Sequence, residues 1–247
     1  MKSANLSGNE QNVTNLGLLI TVVSTFGSAY NPPKPSLTIP GLTELFERGK
    51  LEINAANIAE VTYNNALSAR TVTFDGYDGL ITRSINALRI MDVPAQTLAQ
   101  AEALVRELRG KRVSELLTDE ELAAAKAEGN PTKQVVKHNS TINSKLENMA
   151  KYVLLLESIP QYRPNEPELT VMELRNKLGD MKIKHEQVVR SVAALDATCL
   201  SRNTLLYADN TGLVDTAQNA KTYTKSVFGA TSPQYKQVSG IEFKKPR

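Results

Sequence analysis

The chain has 247 residues, which is enough for one large domain or two small ones with a substantial buried core. Hydrophobic residues make up 41% of it and charged residues 22%, an ordinary globular composition that argues against a disordered or collagen-like chain. The net charge of +3 is too small to require a polyanionic partner, and a single cysteine excludes an intramolecular disulfide.

The N-terminal segment 11–30 is uncharged, and its apolar run predicts a short buried helix over about 12–27. A signal peptide is the alternative, because Leu16 to Phe26 resembles an apolar signal core and Gly27-Ser28-Ala29 a cleavage site. A membrane span is disfavoured, because Asn, Thr and Ser interrupt a run that needs about 20 apolar residues. We therefore expect a cytoplasmic protein without a membrane span, with export and loss of residues 1–29 as the alternative.

A short phrase occurs twice, as YNPPKPSLT at 30–38 and as YRPNEPELT at 162–170. Proline fixes φ and keeps the preceding residue out of the helical region, so each phrase predicts the end of one helix and the start of another. The preceding helices are predicted over about 12–27 and 139–158, and long helices should follow over about 37–75 and 168–207.

An ungapped alignment of 30–75 with 162–207 has low identity, but the turn-forming residues and the spacing of apolar residues agree. The pairs include Tyr30 with Tyr162, Leu42 with Leu174, Lys50 with Lys182 and Arg70 with Arg202, and one inserted residue then pairs Gly79-Leu80-Ile81 with Gly212-Leu213-Val214. Turn-forming residues at 75–79 and 209–212 predict breaks, followed by helices over about 80–92 and 213–228. We infer an internal duplication; chance similarity of two proline-started amphipathic helices is the alternative.

Three segments describe the predicted organisation. Residues 1–92 form a first helical repeat, 93–131 a helical connector with an acidic helix at 115–129, and 132–247 a second repeat with a basic tail. The fold class that follows is all-α: an antiparallel helical bundle in which two similar helical units, related by a pseudo-twofold axis, share one joint core.

The sequence carries none of the motifs of common enzyme classes, such as a glycine-rich phosphate loop, a nucleophile elbow, HExxH or CxxC. His138 is interpreted as a surface residue, and His185, in the stretch KIKHEQ, as part of a solvated helix face rather than a general base. Cys199 is interpreted as a packed core thiol rather than a nucleophile. We predict no catalytic residue, no metal site and no cofactor.

Arg70 and Arg202 fall at matching positions on the apolar side of the two long helices, where an unpaired charge is costly. The structural interpretation, which we favour, gives each guanidinium a buried ion pair or helix-end carbonyls. The candidate carboxylates are Glu60, Asp75, Asp196 and Asp215. The functional interpretation is a pair of arginines that bind an anion between the repeats.

Basic residues are concentrated near the C-terminus. They are Lys221, Lys225, Lys236, Lys244, Lys245 and Arg247. Such a tail suits nucleic acid, an anionic surface or an acidic protein as a partner. We favour a solvated terminus that keeps the protein soluble.

Several segments together resemble an uncharacterised family of helical proteins in Bacteroidota bacteria. They are KSVFGATSPQYKQVSGIEF, YADNTGLVD, YRPNEP and AYNPPKPSLT. The resemblance covers most of the chain and is strongest from Lys225 to Phe243. It implies an all-helical fold and an intracellular or cell-associated bacterial protein, and it carries over no catalytic or binding residues.

The sequence favours a non-enzymatic structural or protein-interaction protein, a scaffold or adaptor that binds a protein partner or itself. One alternative is a nucleic-acid or anionic-surface binder that uses the basic tail. The other is a small-ligand carrier with a pocket between the repeats.

Overall fold

A computed structural model describes residues 8–110 and 141–245 of the chain. Every regular element in these two ranges is helical, so the predicted all-α helical bundle is confirmed. The α-helices are α1 (Gly8–Ser24), α2 (Ile39–Phe74), α3 (Tyr77–Arg89), α4 (Ala95–Leu108), α5 (Ile142–Glu157), α6 (Val171–Tyr207), α7 (Leu213–Phe228) and α8 (Pro233–Ser239). The predicted acidic helix at 115–129 lies outside the described residues.

The described residues form two compact units. The terminal unit contains 8–65 and 190–245, and the central unit contains 66–110 and 141–189. The core of the terminal unit is built mainly from α1, α7 and the residues after α8, and Leu16, Leu19 and Val23 of α1 are fully buried in it. The predicted buried N-terminal helix is therefore confirmed. The core of the central unit is built from α3, α4, α5 and the start of α6.

This division differs from the predicted segments 1–92, 93–131 and 132–247 and from the predicted joint core. The buried hydrophobic residues fall into two clusters, and each unit combines the first part of one predicted repeat with the last part of the other. Helix length gives the physical reason. α2 has 36 residues and α6 has 37, and helices of that length extend about 55 Å, well beyond the core of one small domain.

The first Tyr-x-Pro phrase forms a junction held by local hydrogen bonds. The buried Tyr30 hydroxyl donates to the Leu37 carbonyl at 2.8 Å, across the 3-10 turn Pro35–Leu37. Thr38 then begins α2, because its Oγ1 accepts the Gly41 backbone N–H at 3.3 Å and donates to the Pro35 carbonyl at 2.7 Å. Threonine with extended backbone is a favoured residue at the start of a helix.

The second phrase forms the same junction in the central unit. The buried Tyr162 hydroxyl donates to the Leu169 carbonyl at 2.8 Å, across the 3-10 turn Pro167–Leu169. The Thr170 Oγ1 accepts the Glu173 backbone N–H at 3.3 Å and donates to the Pro167 carbonyl at 2.8 Å. The repeated phrase thus encodes the same set of local hydrogen bonds twice.

The helices that follow the long helices also begin alike, but not in the register predicted from sequence. α3 begins after Gly76, whose φ of 70° is one that glycine adopts most readily, and α7 begins after Gly212. With these glycines aligned, four buried positions of each helix coincide: Tyr77, Ile81, Ser84 and Leu88 match Leu213, Ala217, Ala220 and Thr224. The predicted pairing of Gly79 with Gly212 does not give this match. The internal duplication itself stays a prediction.

Candidate interaction surfaces

The outward side of α2 carries large apolar side chains that contact solvent. Leu51, Ile58 and Val61 are 68%, 59% and 58% exposed, and the exposed Asn54 and Asn65 continue the row at the same spacing of three or four residues. Spacing of this kind places side chains in one row along a helix. We name this row the α2 face: Leu51, Asn54, Ile58, Val61 and Asn65.

The exposed part of α2 from 51 to 65 differs in charge from the turns before it. Glu44, Glu47, Arg48 and Lys50 are exposed and charged, whereas Glu60 is the one exposed charged residue among positions 51–65. Exposed helix faces usually carry charged and polar residues, and the centres of protein interfaces are depleted in charge. The α2 face therefore has the composition of a contact surface.

The two arginines predicted as a pair lie in different units, Arg70 in the central unit and Arg202 in the terminal unit. Both are half-buried, and within the described residues neither forms an ion pair with a carboxylate. The Arg202 guanidinium donates through Nε and Nη2 to the Asn203 Oδ1, at 3.2 and 3.0 Å. The expected buried ion pair is therefore not formed, because partial exposure leaves each guanidinium in contact with water.

The basic tail is held to the terminal unit by hydrogen bonds and ion pairs of its own lysines. The Lys221 Nζ donates to the carbonyls of Ser239 and Ile241, at 3.0 and 2.8 Å. Burial, opposed by the charge of Glu242, lowers the pKa of Lys221. Lys221, one of the six basic residues named as a possible contact for an anionic partner, thus binds the carbonyl of the last residue of α8 and that of Ile241.

At the end of the tail, Lys245 contacts two carboxylates. Its Nζ lies 3.0 Å from Asp215 and 3.4 Å from Asp209. Asp215 also accepts the Asn210 backbone N–H at 2.9 Å, and this hydrogen bond together with Lys245 holds the pKa of Asp215 below its usual value. The hydrogen bond from Lys245 to Asp215 raises the pKa of Lys245 in turn.

The other basic residues of the tail vary in their surroundings. The Lys225 Nζ lies 5.8 Å from the centre of the Tyr235 ring, and the Lys244 Nζ lies 3.1 Å from Glu242. Lys236 is exposed on α8, and Arg247 lies outside the described residues. Since four of the predicted lysines have intramolecular partners, the geometry favours a structural role for the tail. Its binding to an anionic partner stays a prediction.

Two of the three histidine and cysteine positions considered from the sequence, His185 and Cys199, lie within the described residues. His185 is half-buried rather than solvated, its Nε2 lies 2.7 Å from the Asn143 Oδ1, and its buried Nδ1 has no hydrogen-bond partner. Cys199 is half-buried on α6. His138 lies outside the described residues. Over 8–110 and 141–245, no group of three or more His, Cys, Asp or Glu side chains is placed to hold a metal ion.

Two open grooves lie in the central unit. One is lined by Leu104, Leu154 and Leu155 with Glu107 and Lys151, and the other by Asn143, Leu146, Glu147 and Lys182. Both are shallow and open to solvent, whereas sites for small molecules are usually deep and enclosed. Neither groove therefore resembles the enclosed pocket that is expected in a protein that carries a small ligand.

Comparisons with known proteins give no relative. No family model, no curated protein and no solved structure matches the chain. The resemblance to helical proteins of Bacteroidota bacteria therefore stays a prediction. A search of the described helices for one that is long and apolar enough to span a bilayer finds none.

Proposed function

We propose that this protein is a non-enzymatic structural protein that associates with a second copy of itself through the α2 face. The observation that carries the proposal is the exposure of Leu51, Ile58 and Val61 in one row on a helix that is otherwise regular. Contiguous exposed apolar side chains on a helix stabilise the protein only when another surface covers them.

Charge favours a second copy as the occupant. A face of one sign would repel an identical face, whereas the α2 face contains no charged side chain and meets its own copy without repulsion. A contact between identical faces also closes as a two-fold dimer, the commonest symmetry of soluble oligomers.

The spacing of the α2 face supports helix-to-helix packing. Leu51, Ile58 and Asn65 recur every seven residues, with Asn54 and Val61 between them, as in a two-stranded coiled coil. An asparagine in such a row pairs with its equivalent and fixes the register at a cost in stability. Because a helix of 15 residues is only about 22 Å long, we expect a weak, reversible dimer.

The test is the mass of the protein in solution as a function of concentration, measured by sedimentation equilibrium. We expect the wild-type chain to shift from monomer to dimer, and Ile58→Lys/Val61→Lys to remain monomeric. The matched control is Ile90→Lys. The Ile90 side chain is 87% exposed and lies outside α2, so this variant should dimerise like wild type. A wild-type chain that stays monomeric at millimolar concentration contradicts the proposal.

A further inference from the structure

Residues 241–245 cross the terminal unit as an extended segment. Ile241 and Phe243 are 6% and 8% exposed and belong to the core of that unit, whereas the side chains of Glu242 and Lys244 are 72% and 79% exposed. Alternation of this kind is the signature of an extended chain with one face buried. The segment therefore inserts two apolar side chains, two positions apart, into a groove.

Two asparagines of α1 bind the backbone of this segment. The Asn12 Nδ2 donates to the Lys244 carbonyl at 2.8 Å, and the Asn12 Oδ1 accepts the Lys244 N–H at 3.0 Å. The Asn15 Nδ2 donates to the Glu242 carbonyl at 2.6 Å. Asn12 is only 2% exposed, and in an empty groove its Oδ1 would lose the Lys244 N–H while its Nδ2 would keep only the Tyr207 hydroxyl at 3.3 Å, so emptying the groove would be costly.

The remaining contacts of the groove are polar and charged. The Lys221 Nζ donates to the Ile241 carbonyl, and the carboxylates of Asp209 and Asp215 contact the Lys245 ammonium. The groove thus recognises three properties of its occupant: an extended backbone, two apolar side chains and a basic residue. None of these contacts depends on the covalent link between the occupant and α8.

We propose that this groove, lined by α1 and α7, is a docking site for an extended peptide of another protein. The peptide it fits has two apolar side chains two positions apart, followed by a basic residue. The chain's own residues 241–245 occupy the groove in cis and compete with that peptide. Two observations define the peptide that fits: the chain's own tail occupies the groove, and Lys245 of that tail pairs with the aspartates by charge.

Attachment of the tail to α8 gives it an advantage over a free peptide, because tethering raises its effective concentration to roughly the millimolar range. The wild-type chain should therefore bind a free peptide weakly. A chain whose own tail is weakened should bind the same peptide much more tightly.

The experiment uses the full-length protein and a fluorescein-labelled peptide with the sequence Gly-Ile-Glu-Phe-Lys-Lys of residues 240–245, followed by fluorescence anisotropy. The tail-released variant, Ile241→Ser/Phe243→Ser, should bind it at least tenfold more tightly than wild type. Lys245→Glu, whose substitution leaves the core untouched, should give a smaller gain of a few fold. It tests the proposal even if the double variant does not fold.

Controls separate recognition by the groove from attraction of charge. Asn15→Ala is added to the tail-released variant and, separately, to Lys245→Glu, and in each case it should lower the affinity for the peptide several fold. Thr14→Ala, which changes an exposed residue of the same helix, should leave that affinity unchanged. A peptide with serine in place of Ile and Phe should not bind. Ile58→Lys/Val61→Lys should leave peptide binding unchanged, so a failure of this site and a failure of the α2 face are distinguishable.

Three results would overturn the proposal. The first is equal peptide affinity for wild type, for Lys245→Glu and for a tail-released variant that keeps its helical circular dichroism. The second is equal binding of the serine-substituted peptide. The third is a wild-type dimer that is lost on Ile241→Ser/Phe243→Ser although this variant keeps its helical circular dichroism, because this result would assign the groove to the tail of a second copy.

Discussion

The two Tyr-x-Pro junctions form the same local hydrogen bonds, but the terminal and central units surround them differently. In each unit a buried tyrosine hydroxyl donates to a leucine carbonyl seven residues on. In the terminal unit the Tyr30 ring packs edge-on against Tyr223, with centroids 5.4 Å apart. The local hydrogen bonds therefore recur wherever the phrase recurs. The side chains that pack around the junction, in contrast, belong to each unit.

The buried polar groups show the same difference. In the central unit the hydroxyls of Tyr152 and Ser84 lie 2.9 Å apart within the core, and burial raises the pKa of Tyr152 to about 12. In the terminal unit one of the buried polar residues, Asn12, binds the extended tail. The central unit thus uses its polar pair internally, and the terminal unit uses its amide to hold a segment at the surface.

The largest expected effect compares the two cores directly. Leu42→Ala and Leu174→Ala truncate fully buried leucines at matching positions, and each should lower the free energy of unfolding by about 2–5 kcal/mol. Urea denaturation followed by circular dichroism measures both. Because each leucine is assigned to the core of its own unit, the double variant should show additive losses. A loss below about 1 kcal/mol at either site contradicts the equivalence of these positions.

The next comparison concerns the first turn of each long helix. A Cβ on Gly41 would lie 2.3 Å from the Pro35 carbonyl oxygen, which also accepts hydrogen bonds from Thr38. Gly41→Ala should therefore cost about 1–3 kcal/mol of stability through overpacking. The matching residue in the central unit is Glu173, and Glu173→Ala should cost only about 0.3–1 kcal/mol, the worth of an acid at a helix N-terminus. Equal losses in thermal or urea denaturation would contradict this difference.

The tyrosine hydroxyls should contribute similar amounts in the two units. Tyr30→Phe and Tyr162→Phe each leave a leucine carbonyl without its donor, at an expected cost of about 1–2 kcal/mol. The same denaturation experiment measures both, with Tyr63→Phe on a half-buried ring of α2 as the control. A loss of stability from one of these substitutions and none from the other would show that the two hydrogen bonds contribute unequally despite their matching geometry.

The smallest effect is a pH dependence of the tail. Because the pKa of Asp215 is lowered in the folded state, its stabilising contribution is complete above the usual carboxyl pKa and is lost as the pH falls through the lowered pKa. The melting temperature of Asp215→Asn should lie below that of wild type at pH 7, and the gap should close towards pH 3. If the difference in melting temperature between wild type and Asp215→Asn does not change with pH, the ionised Asp215 carboxylate does not stabilise the tail.

The sequence predicts the helices and both junctions because their signals are local. Proline, the breaks after the long helices and the spacing of apolar residues place α2, α6 and α7 within a few residues of their observed bounds. The sequence does not predict which half of each repeat packs with which, since both halves are amphipathic. It also does not reveal Asn12 as a tail-binding residue, because its partner Lys244 is distant in the chain and no periodic pattern marks the contact.

The central claim is that two copies associate through the α2 face, and a single spin label on that face tests this association directly. In a Cys199→Ser background, a label on Asn54→Cys gives each molecule one spin, so dipolar coupling arises only when two α2 helices meet. Paired helices lie about 8–10 Å apart, so the account predicts strong coupling at high concentration, its loss in Ile58→Lys/Val61→Lys, and none from a label at exposed Gln100. Absence of coupling from Asn54→Cys at concentrations where the protein is dimeric would contradict the account.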